Sequence, residues 1–315
     1  MSVSFDKLSL MRHMKKLGEL KYGKPIINIE CLGGGSYGLA FKAGYSDGHI
    51  EVVKAFKVAG MGKDEADALR LLRTASPIKI PEVFYLHYAD DELPFDALGM
   101  EYIEGVNVLS HSGFLFKSRR VKRRFADAIA DALGEIHSKI GNGYGFINGK
   151  KNETWYEFYS DFFNQIFFEA KALKDTKKLS PRLFEYLSVA ADNFDYIFDK
   201  EPENPVLLHG DLNVMNIMAD KRALTVTGII DPFNSMWGDR EYDLFQLKSL
   251  TGPFFGLYEA YQKKFKTSEK CNLKCAVYAL ANEIHCYAKS GWKSDSLNAI
   301  LAKRAAREYG KHKLI

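Results

Sequence analysis

His209-Gly210-Asp211-Leu212-Asn213-Val214-Met215-Asn216 is the stretch whose reading decides the fold, and Asp231 belongs with it. The apolar run Val206-Leu207-Leu208 delivers the chain to it, and Ile217-Met218 carries the chain away. A turn at Asp220-Lys221-Arg222 and the run from Val226 to Ile230 then lead to Asp231. The pattern predicts a loop followed by a β-hairpin, with a second acid at the hairpin's far end. An Asp and an Asn after a strand are also ordinary turn residues. The company they keep separates the two readings, because Gly238-Asp239 and Asp243-Leu244 follow Ile230-Asp231 closely. Such a multi-part pattern is far more restrictive than one acid and one amide. The spacing suits phosphoryl transfer. Asp211 takes the proton of an incoming hydroxyl, the amide oxygen of Asn216 reaches a metal, and Asp231 holds that metal against nucleotide phosphates.

Upstream, Ile26-Ile27-Asn28-Ile29 reads as a strand, and Gly33, Gly35 and Gly38 around Ser36 fit G-x-G-x-x-G. A dinucleotide fingerprint would need a helix directly after the glycines. Here Leu39-Ala40-Phe41-Lys42-Ala43 continues as a strand, turns at Ser46-Asp47-Gly48 and returns as Ile50 to Val58. Strand, glycine loop, strand is how a phosphate-covering hairpin is built, its backbone N–H groups approaching the phosphates unobstructed. The returning strand carries Lys54 and Lys57 on opposite faces of the pleat; Lys54 fits the phosphate-binding position better, with Lys57 as the alternative. In the helix that follows, Glu65 is placed to hold Lys54 as an ion pair. The strand ending at Leu98-Gly99-Met100-Glu101-Tyr102-Ile103 leads to a hinge, where backbone groups from Glu101 to Ile103 can bind an adenine.

Composition narrows the function classes. The 315 residues carry 44 Lys and Arg against 40 Asp and Glu, a net charge of +4, which argues for neither a nucleic-acid nor a membrane partner. Four cysteines do not make a disulfide framework, so a reduced cytoplasmic setting is expected. Cys271, Cys275, His285 and Cys286 lie in apolar helical sequence without close zinc spacing and read as core. The basic run from Lys117 to Arg124 reads as the exposed start of a helix buried through Phe125, Ile129, Leu133 and Ile136. Glu157 and Asp161, one turn apart, read as surface acids or as the wall of a polar groove. Only seven residues separate Asp231 from Asp239, too few for the platform on which a protein kinase holds a polypeptide. Asp239 or Asp243 is expected to anchor the catalytic loop.

Taken together, these motifs make the sequence similar to the aminoglycoside phosphotransferase family, which includes the choline, homoserine and fructosamine (ketosamine) kinases. The resemblance runs from Gly33 past Leu244. It is nearest to the fructosamine kinase branch at Gly145-Phe146, at Trp155 with Phe158, at Ile230-Asp231-Pro232 and at Gly238-Asp239-Arg240-Glu241. It implies an α+β, bilobal protein-kinase-like fold, with a small β-rich lobe over residues 1–104 and a larger, mainly helical lobe over 105–315. It also implies ATP or GTP with Mg²⁺, the catalytic base at Asp211, metal ligands at Asn216 and Asp231, and the phosphate-binding lysine at Lys54. The expected activity is phosphorylation of a hydroxyl on a small polar molecule. The alternatives are a nucleotide-binding module without transfer activity and a protein Ser/Thr kinase. A polycationic aminoglycoside would call for clustered acids in the second lobe and a ketosamine for hydroxyl-directed hydrogen bonds; the sequence assigns neither.

Overall fold

Alternation of side chains along the first strands sets the architecture. A computed structural model of the chain describes residues 6–35, 37–91, 93–176, 178–291 and 293–315. Helix α1 (Lys7–Tyr22) precedes strands β1 (Ile26–Gly34), β2 (Gly38–Tyr45) and β3 (Ile50–Phe56). Helix α2 (Met61–Ala75), β4 (Val83–His87) and β5 (Ala97–Glu101) complete the first lobe. The five strands form one antiparallel sheet in the order β1-β2-β3-β5-β4. Because successive side chains leave opposite faces, Phe41, Val53 and Ala55 bury against Leu10, Met14 and Leu17 of α1. Val52 and Phe56 face the other way, with Leu69 and Leu72 of α2. Lys54 shares that second face, which is the one turned toward the cleft.

Glu51 belongs to the α1 face and is fully buried. Its carboxylate accepts hydrogen bonds from the Tyr22 (3.0 Å), Tyr85 (2.9 Å) and Tyr45 hydroxyls, so α1 is tied to the sheet by polar as well as apolar contacts. A buried carboxylate is tolerated only when its lone pairs are engaged in this way.

The second lobe is mainly helical. It comprises β6 (Val106–Asn107), α3 (Arg119–His137), β7 (Gly145–Phe146), α4 (Trp155–Asp175), α5 (Pro181–Asp192), α6 (Phe194–Ile197) and β8 (Val206–Leu207). These are followed by β9 (Ile217–Ala219), β10 (Val226–Ile229), β11 (Met236–Gly238), α7 (Glu241–Leu247), α8 (Gly252–Phe255), α9 (Leu257–Lys264), α10 (Cys271–Ser290) and α11 (Asp295–Lys311). The basic run forms the exposed first turns of α3, beyond which Phe125, Ile129, Leu133 and Ile136 are buried. Glu157 closes a capping box with Thr154 at the start of α4, and so serves the helix end. Helices α5 and α6 follow one another directly, interrupted only at Asn193. The aromatic residues of α4 are core: Trp155 stacks on Tyr159 at 5.3 Å and donates its indole N–H to the Tyr278 hydroxyl at 3.0 Å.

Candidate active site

Two small sheets present the loop. Strand β11 lies between β7 and β8, and β10 pairs with β9, which also pairs with β6. Between β8 and β9 runs the loop from His209 to Asn216, and Asp231 follows β10, as the hairpin reading expects. Gly210 has φ +81°, and a Cβ there would fall 2.0 Å from the Phe233 carbonyl oxygen, so a larger residue is barred. The loop is clamped from behind by Asp243, which is fully buried. Its carboxylate accepts the N–H groups of His209 (2.9 Å) and Gly210 (2.7 Å) and lies 3.2 Å from Nε2 of His137, whose Nδ1 is 2.8 Å from the Tyr261 hydroxyl. Asp239 has a separate task, accepting from Lys274 at 2.9 Å and from the Glu241 N–H at 3.0 Å. Between the two candidate anchors, Asp243 is therefore the one bonded to the loop.

Asp211 is held by three neutral amides. Asn213 Nδ2 (2.8 Å) and Gln246 Nε2 (2.7 Å) donate to Oδ1, and Asn216 Nδ2 (2.9 Å) donates to Oδ2. Burial pushes the Asp211 carboxyl up to about 8, the charge of Asp231 adds to the rise, and the Asn213 and Asn216 amides oppose it. Asn216 also donates to the backbone carbonyls of Asp211 (2.7 Å) and Asp231 (3.4 Å), so its N–H groups face the loop and its Oδ1 is left for a ligand. Asp231 adopts φ +57° and Asn234 φ +52°. Left-handed backbone at residues other than glycine costs about 1 kcal/mol or more and is held only where its surroundings impose it.

Lys54 joins the lobes. Its ammonium lies 2.6 Å from Glu65 and also bonds Asp231. Burial alone would lower the Lys54 pKa, but the two carboxylates outweigh it and hold the ammonium above the usual lysine value. Burial pushes Glu65 up to about 7 against the pull of Lys54. A cavity of about 270 Å³ opens in front of this pair. It brings together Gly33, Gly35, Gly38, Lys54, Glu65, Glu101, Ile103, Asn216 and Asp231. Lys57 lies past the end of β3, exposed and off this cavity. Ser36 falls outside the described residues. A Cβ on Gly38 would meet the Ala55 carbonyl oxygen at 2.4 Å, which explains a glycine where the hairpin strands pair closely. The Glu101 carboxylate is bonded to Lys79 at 2.6 Å and its backbone N–H donates to the Glu82 carbonyl at 2.8 Å.

Residues 54–266, more than half of the chain, match the phosphotransferase enzyme family. The chain belongs to that family. Among curated relatives of the chain is the uncharacterized protein YcbJ of Escherichia coli, 21% identical over 203 residues. That match covers 62% of this chain and 65% of YcbJ, so it spans slightly less than two thirds of the relative's length. Among solved structures, one assigned as a fructosamine-3-kinase of Thermobifida fusca superposes with a TM-score of 0.67 at 19% identity, covering 93% of this chain and 97% of the other. The ADP-bound aminoglycoside phosphotransferase APH(2'')-Ib superposes with a TM-score of 0.63 at 19% identity, covering 94% and 97%. These likenesses place the chain in the bilobal protein-kinase-like fold that the family resemblance implies.

Three contributors to the site escape the sequence motifs. Gln246 bonds Asp211 from α7, and its spacing of three from Asp243 was the available signal, since residues three apart share a helix face. Asn213 donates to Asp211 while accepting the Met215 N–H at 2.8 Å, which reads in sequence as an ordinary turn residue. Tyr37, at the tip of the glycine loop, stacks on Phe233 at 4.9 Å, a contact between segments nearly 200 residues apart that no local pattern announces. Among the described residues no helix is long and apolar enough to cross a membrane.

Proposed function

We propose that this phosphotransferase moves the terminal phosphoryl group of ATP, with magnesium, to a hydroxyl of a small polar molecule. The observation that carries the reading is the linked set Asp211–Asn216–Asp231–Lys54–Glu65, joined by hydrogen bonds and ion pairs, of which the last four line the cavity under the glycine loop and Asp211 stands behind Asn216. ADP in the related aminoglycoside phosphotransferase supports a nucleotide as donor. The short course from Asp231 into β11, between β7 and β8, supports a small acceptor over a polypeptide.

In this mechanism Asp211 accepts the hydroxyl proton. The three amides fix its orientation, so the carboxylate meets the incoming oxygen without reorganising. Lys54, held by Glu65, steadies the phosphates, and the backbone of the glycine loop covers them. Asn216 Oδ1 and the Asp231 carboxylate are hard oxygen donors that fit magnesium, an ion that takes one or two protein ligands beside phosphate and water. When bound, magnesium neutralises charge on the transferring group.

The test is incubation with γ-labelled ATP and magnesium over a panel of aminoglycosides, fructosyl and ribosyl amines, choline, homoserine and simple sugars. Label is expected on a small molecule. Nucleotide binding without transfer to any hydroxyl compound would overturn the reading in favour of a binding module, and label on polypeptide would overturn the small acceptor.

A further inference from the structure

A second cavity, of about 550 Å³, lies on the far side of Asp231-Pro232-Phe233 from the nucleotide cavity. Glu65 lines both, and the Tyr37–Phe233 stack stands at the second cavity's edge. Its wall reaches the catalytic loop, since Phe233 and Asn234 pack directly on Gly210, the neighbour of Asp211. Its size is that of a small-molecule site.

Three buried polar atoms without a hydrogen-bond partner belong to residues that line this one cavity: the Tyr37 hydroxyl, Glu65 Oε1 and Asn234 Nδ2. Glu65 is only 7% exposed. Buried polar atoms are ordinarily satisfied, so three orphans on residues lining one cavity point to a ligand that satisfies them. Chemically they are an acceptor, a donor and a group that is both, which suits partners that both give and take a hydrogen bond, as hydroxyls do.

Most of the charges on the lining are already paired. Glu65 is paired with Lys54, and His285 and Lys289 each lie 2.9 Å from Glu169. Asp64 accepts from Asn148 at 2.9 Å. That leaves Asp64 as the one acid of the lining without a cation beside it, a single charge and not the cluster of acids that a polycation calls for. The rings of Tyr37, Phe146 and Phe233 add flat apolar faces.

Resting on the kinase reading above, we propose that the phosphate acceptor is an uncharged, hydroxyl-rich molecule of roughly one or two sugar rings, seated in this cavity against Tyr37, Glu65 and Asn234. Its reacting oxygen forms the new O–P bond and its proton passes to Asp211. The bond between the terminal phosphorus and its bridging oxygen breaks, and that electron pair leaves with the nucleoside diphosphate.

The test uses the full chain with magnesium and a non-hydrolysable ATP analogue, and measures ligand binding by saturation-transfer NMR. The probes are D-ribose, D-glucose, D-glucitol and the polycation kanamycin. At least one neutral probe is expected to bind and kanamycin is not. Tyr37→Phe and Asn234→Gly, the latter compatible with left-handed backbone, should each weaken the neutral probe by about three- to tenfold, the worth of one hydrogen bond. Binding of kanamycin alone, of no probe although the nucleotide binds, or of a neutral probe equally by both variants overturns the cavity assignment and leaves the kinase reading standing. Absence of nucleotide binding overturns both.

Discussion

Replacing Asp243 isolates the positioning of the catalytic loop from the chemistry itself. Its carboxylate serves the N–H groups of His209 and Gly210 and the ring nitrogen of His137, all inside the protein. In Asp243→Asn one oxygen remains. Placed at Oδ2 it still serves His209 and His137, but the new amide then points its hydrogens at the Gly210 N–H. One orphaned buried donor costs about 1–3 kcal/mol. Asp243→Ala orphans all three partners and should cost about 3–5 kcal/mol, the scale for breaking a buried polar pair. Against a typical total of about 5–15 kcal/mol, the alanine variant approaches unfolding and the asparagine variant is the informative one. Freed from its clamp, Gly210 carries Asp211 with it, and a displacement of about 1 Å at a reacting group costs on the order of 10² in rate. Nucleotide affinity should change little, because Lys54 and the glycine loop are untouched. Urea denaturation followed by tryptophan fluorescence, turnover and nucleotide titration measure the three quantities. An asparagine variant with the wild-type midpoint and turnover within about twofold would refute the clamp.

Asp211→Asn should lower turnover by about 10²–10⁴ with nucleotide binding nearly intact, measured by phosphate transfer and calorimetry. In the proposed role Asp211 acts as a base only when ionised, and its carboxyl pKa is raised to about 8, so kcat/KM should climb with pH through that region; a flat profile between about pH 6 and 9 would count against it. The same raised value means that the unfolded chain loses this proton near pH 4, well before the folded one does. Wild-type stability should therefore decline from about pH 4 to about pH 8 relative to Asp211→Asn, as denaturation at both ends of that window would reveal. Lys54→Met leaves the buried Glu65 without its cation, so Glu65 should take up a proton and nucleotide affinity should fall by about tenfold or more, the scale of a lost charged hydrogen bond. Gly38→Ala forces a methyl group against the Ala55 carbonyl; it should cost about 1–3 kcal/mol and weaken the nucleotide more than the acceptor in a comparison of their KM values.

The parts of the site legible in the sequence were those built from residues close together along the chain. Asp211 and Asn216 share one loop, the hairpin of β9 and β10 delivers Asp231, and period-two alternation along β3 turns Lys54 toward the cleft. Glu65 followed from the helix after it. What sequence could not supply were contacts closed by the folded chain. Gln246 reaches Asp211 from α7, His137 reaches Asp243 from the end of α3, and Tyr37 meets Phe233 across the two lobes. Nor could it show what the acids do locally, since Glu157 reads as a surface acid or a groove acid and its task is to close a helix cap. The lobes themselves were readable because strands and helices segregate along the chain; the break at Asn193 was not, because apolar periodicity continues across it.

The order of the five strands bears on how this chain can be handled in practice. The family match begins in the middle of β3, whereas β1, β2 and the glycine loop lie upstream. A fragment trimmed to the matched span would lose two strands and half of a third, leaving raw backbone along the sheet that invites strand-to-strand aggregation. It would also strip the cover from an apolar sheet face and remove Tyr22, Tyr45 and Glu51 itself. Fragments for expression should therefore keep α1.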